Sequence, residues 1–347
     1  ALRAWLIVEI GFGLAAISSI GLDPANTAIN FAWPIKPEIM AALLGAFYMA
    51  SAGLFLLAAA AGHWEAVRLA IVPAILFTFT ELIATFLHWD KFSAGTTPFY
   101  VWFASYLLPP SILAACYVWQ QRRALTSPRS RPLPRLLKLL MLAIGAVVTL
   151  AALCAFVWPD LVIAVAPWQV TPLTSRALSG WLLALGTMLL FAAREDDRDR
   201  MIVLAPFFML LGPCVLFQLS RFPDQADWAH PTIWIGGVIL LAVFLIGLYA
   251  AASDWRGYQA MTRSLTPQEI TDLLGRYYEI CQRLLGQNAG KVRFASDWIA
   301  DELFIVFFAE AGAAHAEIVC EALRFAERLL EEKARFVALH QHPRAID

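Results

Sequence analysis

Eight apolar runs, each close to the length that crosses a hydrocarbon core, leave this chain few ways to fold. They are Trp5–Ile20, Glu38–Ala61, Val67–His88, Phe99–Trp119, Leu136–Val157, Arg176–Ala193, Met201–Leu219 and Ile233–Ala252. A helix rises about 1.5 Å per residue, so about 20 apolar residues cover roughly 30 Å of lipid. Backbone amides find no water there, which makes each run helical. Composition agrees: 60% of the residues are hydrophobic and 15% charged, against about a quarter charged in soluble domains. The expectation is an all-α polytopic membrane bundle whose first partner is the lipid bilayer. The first run lacks a signal-type cleavage site and is followed by further spans, so it reads as a retained span. A net charge of −1 argues against a nucleic-acid partner. The five cysteines are scattered without C-x-x-C or metal spacing, and read as small buried hydrophobes.

Loop charge sets the expected orientation. The connection after the fourth run carries Arg122, Arg123, Arg129, Arg131, Arg135 and Lys138, and the one after the sixth carries Arg194, Arg198 and Arg200. The alternate loops hold only Lys36, Lys91, Arg176 and Arg221. Positive charge stays on the cytoplasmic side, so both termini are expected there, in a multi-pass protein of the cytoplasmic (inner) membrane. The opposite loops carry Trp33, Trp89, Trp158, Trp168 and Trp228, as an interfacial aromatic belt would.

An internal repeat is also legible. Trp33, Pro37, Ala42, Leu43, Gly45, Leu69 and Ala70 recur 135 positions later as Trp168, Pro172, Ala177, Leu178, Gly180, Leu204 and Ala205. Seven identities in one register point to duplication. The expected organisation is a first four-span repeat over 1–119, a basic cytoplasmic linker over 120–135, a second repeat over 136–252 and a cytosolic tail over 253–347. Four spans per half is an even number, so the two repeats run parallel, related by an axis along the membrane normal.

Charge at membrane depth is costly and marks function by default. Glu9 and Glu81 are the clear cases. Thr78, Glu81, Thr85 and His88 are spaced three, four and three apart, which places them on one helix face. At the 135-residue shift Glu81 and His88 become Leu216 and Pro223, so the polar stripe belongs to one half. The functional reading is a pocket facing away from the cytoplasm, with Glu81 and His88 as polar contacts and Arg176 as their counter-charge. The plain alternative is a buried carboxyl bonded between helices, with His88 at the interface. No two histidines share a depth suited to haem.

The tail changes character at Asp254. Asp254-Trp255-Arg256-Gly257-Tyr258, Ala260-Met261-Thr262 and Leu265-Thr266-Pro267-Gln268-Glu269 are followed by Leu273-Leu274, Tyr277-Tyr278-Glu279 and Ala289-Gly290. Then come Asp301-Glu302-Leu303-Phe304-Ile305-Val306-Phe307 and Ala314-His315-Ala316-Glu317. This order resembles the N-terminal half of a class III nucleotide cyclase domain, whose opening reads roughly D-I-R-G-F-T-A-L-S and then L-T-P-E-E. The resemblance implies a small partial α/β module and a homodimer, since such active sites form between two domains. It implies Asp254 and Asp301 as ligands of two Mg or Mn ions that bind triphosphate and activate the ribose hydroxyl. The chain departs from that pattern in three ways. Ala300 stands where the family has Gly, the interval from Gly290 to Asp301 is long, and the last apolar run leads almost directly into Asp254. The sequence given ends at Asp347, where the family's second half would begin, so this stretch alone is expected to be inactive. The alternative is a two-helix cap with one apolar strand, Leu303–Phe308, and an amphipathic helix Ala314–Leu339.

Three functions follow: a membrane sensor or regulatory protein with a cyclase-like module, a non-catalytic accessory subunit of a larger membrane complex, and a small-solute carrier. The shared topology is testable. In a background without the native cysteines, Ser127→Cys should react with an impermeant thiol reagent only from the cytoplasmic side. Lys91→Cys should react only from the other.

Overall fold

The computed structural model describes residues 2–61, 64–123, 131–264, 292–299 and 302–309. His63, Asp301, the Ala314–Leu339 segment and residues 124–130 of the inter-repeat linker lie outside the described residues. The helices in chain order are α1 (Leu2–Ala16), α2 (Thr27–Asn30), α3 (Glu38–Ala60), α4 (Trp64–Leu87), α5 (Thr97–Leu107), α6 (Pro109–Arg123), α7 (Arg135–Val157), α8 (Pro159–Val165), α9 (Pro172–Glu195), α10 (Ala205–Ser220) and α11 (Pro231–Ser264). A π-helical turn, Ile17–Leu22, continues α1, and a 3-10 segment, Asp199–Leu204, leads into α10. Eight of these stretches are long and apolar enough to cross a membrane: Leu2–Leu22, Glu38–Ala60, Trp64–Leu87, Thr97–Arg123, Arg135–Val157, Pro172–Glu195, Asp199–Ser220 and Pro231–Ala252. Each contains or overlaps one of the eight apolar runs. This is a multi-pass membrane protein.

Local chemistry sets the helix starts. Thr171 caps α9, accepting from Thr174 N while Thr174 Oγ1 accepts from Thr171 N, and Pro172 takes the first helical position. Thr96 caps α5, accepting from Phe99 N with Pro98 in the first turn. The fourth span is broken at Leu108. Pro109-Pro110 explains the break, because proline has no N–H to bond back and its ring crowds the preceding turn.

Shifted by 135 positions, the first four spans begin at 137, 173, 199 and 232, and the last four begin within two residues of those points. Packing repeats the correspondence. Within the first half α1 packs on α3, and within the second half α7 packs on α9. Between halves the contacts are reciprocal, with α3 against α10 and α4 against α9. The core lies along these seams, with Met40, Leu54, Phe207, Phe208 and Leu211 fully buried. Lipid-length faces of α7 and α11 remain exposed and apolar, among them Leu139, Val147, Leu150, Val238 and Leu241. Trp89, Trp158 and Trp228 are exposed at the helix ends, as a belt requires. Trp33 departs from that expectation. It is 2% exposed and packs between Phe31, Phe92 and Trp102 at centroid distances of 4.6–5.0 Å. It fills the core beneath the loops rather than facing headgroups.

The chain divides into two compact units, Ala1–Gly257 and Tyr258–Asp347. The eighth apolar run ends at Ala252, yet α11 continues without a break to Ser264. Arg, Gln, Ala and Met favour helix here, and the first proline beyond is Pro267. The tail contains an antiparallel pair, β1 (Val292–Ile299) and β2 (Glu302–Ala309), in register from Val292 opposite Ala309 to Ile299 opposite Glu302. Only the apolar β2 strand is evident in the sequence; Val-Arg-Phe-Ala-Ser-Asp-Trp-Ile alternates too weakly to announce its partner.

Two glycines at equivalent repeat positions serve different contacts. A Cβ on Gly45 would stand 2.4 Å from Gly21 Cα, and one on Gly180 would stand 2.4 Å from Glu81 Oε1. Gly45→Val should therefore lower stability in detergent by about 1–3 kcal/mol, because backbone opposes it. Gly236→Ala, with nothing within 4 Å, should stay within about 0.5 kcal/mol of the parent. Thermal unfolding of the purified protein measures both.

Candidate functional site

A cavity of about 340 Å³ lies in the first half. Its walls come from α1 (Glu9, Phe12, Gly13), α3 (Tyr48, Ser51, Phe55), α4 (Phe77, Thr78) and the broken span (Val101, Trp102, Ser105, Tyr106, Leu113), with Trp181 of α9 as its floor. The π-helical turn that continues α1 adds Ser18 and Ser19 to the wall. Such turns recur at functional sites because they re-aim side chains and loosen backbone pairing.

The lining is aromatic and sparsely polar. Tyr48 and Tyr106 share a buried hydrogen bond between their hydroxyls. Trp181 contacts Tyr48 at 4.8 Å, Phe47 at 5.4 Å and Phe77 at 4.0 Å, centroid to centroid. Trp102 packs against Tyr106 in a tilted arrangement at 4.2 Å, and its Nε1 donates to Thr85 Oγ1 at 3.0 Å. Thr85 in turn donates to Glu81 O at 2.8 Å. Glu9 is 8% exposed, and its Oε1 is buried without a partner.

The three membrane residues expected to form a site separate into two places. Glu81 is 1% exposed, behind the cavity on the α4–α9 seam, with both carboxyl oxygens lacking partners. Gly180 makes the room it occupies. His88 lies just past the end of α4, half-buried, where Arg176 Nη1 donates to its Nε2 at 2.6 Å. Arg176 also bonds Phe156 O at 3.0 Å through Nε. Arg176 therefore meets His88, and no contact joins it to Glu81. Of the carboxylates implied by the cyclase resemblance, Asp254 falls within the backbone of α11, and Asp301 lies outside the described residues. Among the described residues no group of three or more His, Cys, Asp and Glu could hold a metal.

Tyr48, Tyr106, Ser51, Trp102 and Trp181 were not evident as site residues. A signal was present: Tyr48 and Tyr106 sit well inside their spans, whereas membrane tyrosines concentrate at the interfaces. At the 135-residue shift, Glu9, Tyr48, Ser51, Thr78, Trp102 and Tyr106 become Ile144, Leu183, Gly186, Pro213, Gly237 and Leu241. The polar lining belongs to the first half alone.

Family models, curated proteins and solved structures were compared with this chain, and none matches.

At the end of α4, burial holds the His88 pKa below its usual 6.5, helped by the Arg176 guanidinium and Lys91 and opposed by Asp90. A guanidinium has only donors, so its partner Nε2 must be unprotonated. A histidine depressed in the fold binds its proton more readily when unfolded. Its contribution is complete above 6.5 and is lost as pH falls through the lower folded value. The unfolding midpoint should therefore drop on acidification below 6.5. Arg176→Gln should blunt that slope without abolishing it, because burial, the largest cause, remains. Thermal unfolding between pH 5 and 8 reads it.

Proposed function

We propose that this chain is an integral membrane receptor with a regulatory cytoplasmic output. A ligand in the first-half cavity changes how α1, α5 and α6 pack, and the tail reports the change. The observation that supports this most is a cavity lined mainly by one half of a bundle whose halves share span boundaries. Duplication explains the shared boundaries, and later specialisation of one half explains the difference. Breaks in the first and fourth spans beside the cavity give the packing a place to adjust. The helix α11 is about 51 Å long at 1.5 Å per residue, well beyond the roughly 30 Å hydrocarbon core. It is the covalent route from membrane to tail. With the Arg-rich loops inside, both termini are cytoplasmic.

The tail is proposed as a cyclase-like reporter that acts by pairing with a second cyclase-type domain, in a homodimer or with another protein. Reconstituted protein, full length as encoded, would be assayed for cyclisation of ATP and GTP with manganese beside Asp254→Ala. No cyclisation by this chain alone is the expected result. Activity abolished by Asp254→Ala would instead make the tail a catalyst and Asp254 its metal ligand.

One observation favours a carrier as second reading: a fully buried, unpartnered carboxyl at the seam between halves suits a proton-carrying group. Proton-driven solute uptake into vesicles, lost in Glu81→Gln, would overturn the receptor reading in its favour. Purification in a fixed-stoichiometry complex, with no ligand-dependent change, would favour an accessory subunit.

A further inference from the structure

The cavity's route and its chemistry can be read from its walls. Its two sides are α1 and α5, which touch each other only briefly. At the lip, Ala15, Ser18, Thr97 and Val101 are exposed. The residues flanking that lip along the two spans, Ile7, Leu14, Tyr100 and Leu107, are also exposed and large. A face of this kind at membrane depth meets acyl chains. The gap between α1 and α5 therefore opens sideways into lipid.

The serine hydroxyls on the wall and that of Thr78 direct their protons at backbone, and the Tyr48 and Tyr106 hydroxyls bond each other. Ser51 donates to Tyr48 O, Thr78 to Ala74 O, Ser105 to Trp102 O, and Ser18 and Ser19 to Ala15 O, all at 2.7–3.0 Å. The two buried polar atoms on the wall that lack a partner are both acceptors: Glu9 Oε1 and Asn30 Oδ1. The Asn30 amide is fixed the right way round, because its Nδ2 donates to Asp23 O and Asp23 Oδ2. A buried acceptor left unmet is destabilising, and a donor on the ligand would remove that cost.

Resting on the receptor reading of the same cavity, we propose that its ligand is a membrane-dissolved amphiphile with a hydrogen-bond-donating head, a hydroxyl or an amine. It enters from the bilayer between α1 and α5 and bonds Glu9 and Asn30. Water-soluble solutes and donor-free lipids are excluded by route and by chemistry respectively.

The test uses the full-length protein in liposomes with three diazirine-bearing alkyl probes of equal chain length: an alcohol, an amine and a methyl ester. The alcohol and amine should label peptides of α1 and α5 about ten-fold more than the ester, roughly the effect of one good hydrogen bond. Glu9→Leu should remove that preference. If the ester labels as well as the alcohol, or if labelling spreads evenly onto the exposed face of α7, the ligand class is wrong. If Glu9→Leu does not purify as a single species, the head-group comparison on the unmodified protein decides. Ser51→Cys, in a background without the native cysteines, separates this inference from the reading beneath it. Reaction with a lipophilic thiol reagent and protection from a charged one is the expected result. Reaction with the charged reagent alone would overturn the lipid route while leaving a receptor fed from water. Silence toward both would close the cavity and remove both proposals.

Discussion

Charge inside a bilayer has to be packed away from lipid, and here that constraint falls on the seam between α4 and α9. Glu81 can be buried because position 180 carries no side chain to compete for its space. Close approach of backbones at small residues is how membrane helices gain contact without a hydrophobic driving force between them. The same device recurs at Gly45 against Gly21, and at Gly186, where a Cβ would stand 2.4 Å from Thr149 Oγ1. These contacts set the spacing of α1, α3, α7 and α9. The cavity is the volume left over where bulky Tyr48, Trp102, Tyr106 and Trp181 hold the first half apart.

Where α9 ends, Glu195 accepts from Arg68 of α4 at 2.6 Å and from Arg200. Asp196, in the left-handed conformation that ends α9, takes Lys138 of α7 at 2.7 Å. Arg198 reaches Tyr249 of α11, bonding its carbonyl at 2.8 Å and lying over its ring at 3.9 Å. A single turn of chain thus ties one helix of the first half and two of the second. Because these charges are partly buried and linked through shared partners, they are screened less than isolated surface pairs.

The spans were legible because hydrocarbon demands helices of one length, and the repeat because Trp33, Pro37 and Gly45 return in a fixed register as Trp168, Pro172 and Gly180. The intramembrane carboxylates were legible as exceptions to apolar runs. The cavity was not, because Tyr48, Tyr106 and Trp102 look like ordinary aromatic filling until three-dimensional packing brings them to one space. Arg176 was expected beside Glu81, yet the antiparallel course of α4 and α9 sets it a turn from Gly180 and opposite His88. The π-helical turn after Ala16 has no signature of its own; Gly21 there is shaped by its neighbours, as Gln218 of α10 and Arg221 just past its end both bond its carbonyl.

The exchange of partners between halves bears on how the chain is made. α3 lies against α10, and α4 against α9, while α3 and α4 have little to do with each other. The second span therefore packs on the first as it is made, and gains its partner in the second half only once the seventh span has been synthesised. The small-residue surface around Gly53, which meets Pro206 and Leu210, and the Glu81 carboxyl, which meets Gly180, stay bare until those later spans arrive. Biogenesis of such a bundle is post-insertional assembly of two unfinished halves, and a membrane insertase that shelters polar spans would meet its substrate there.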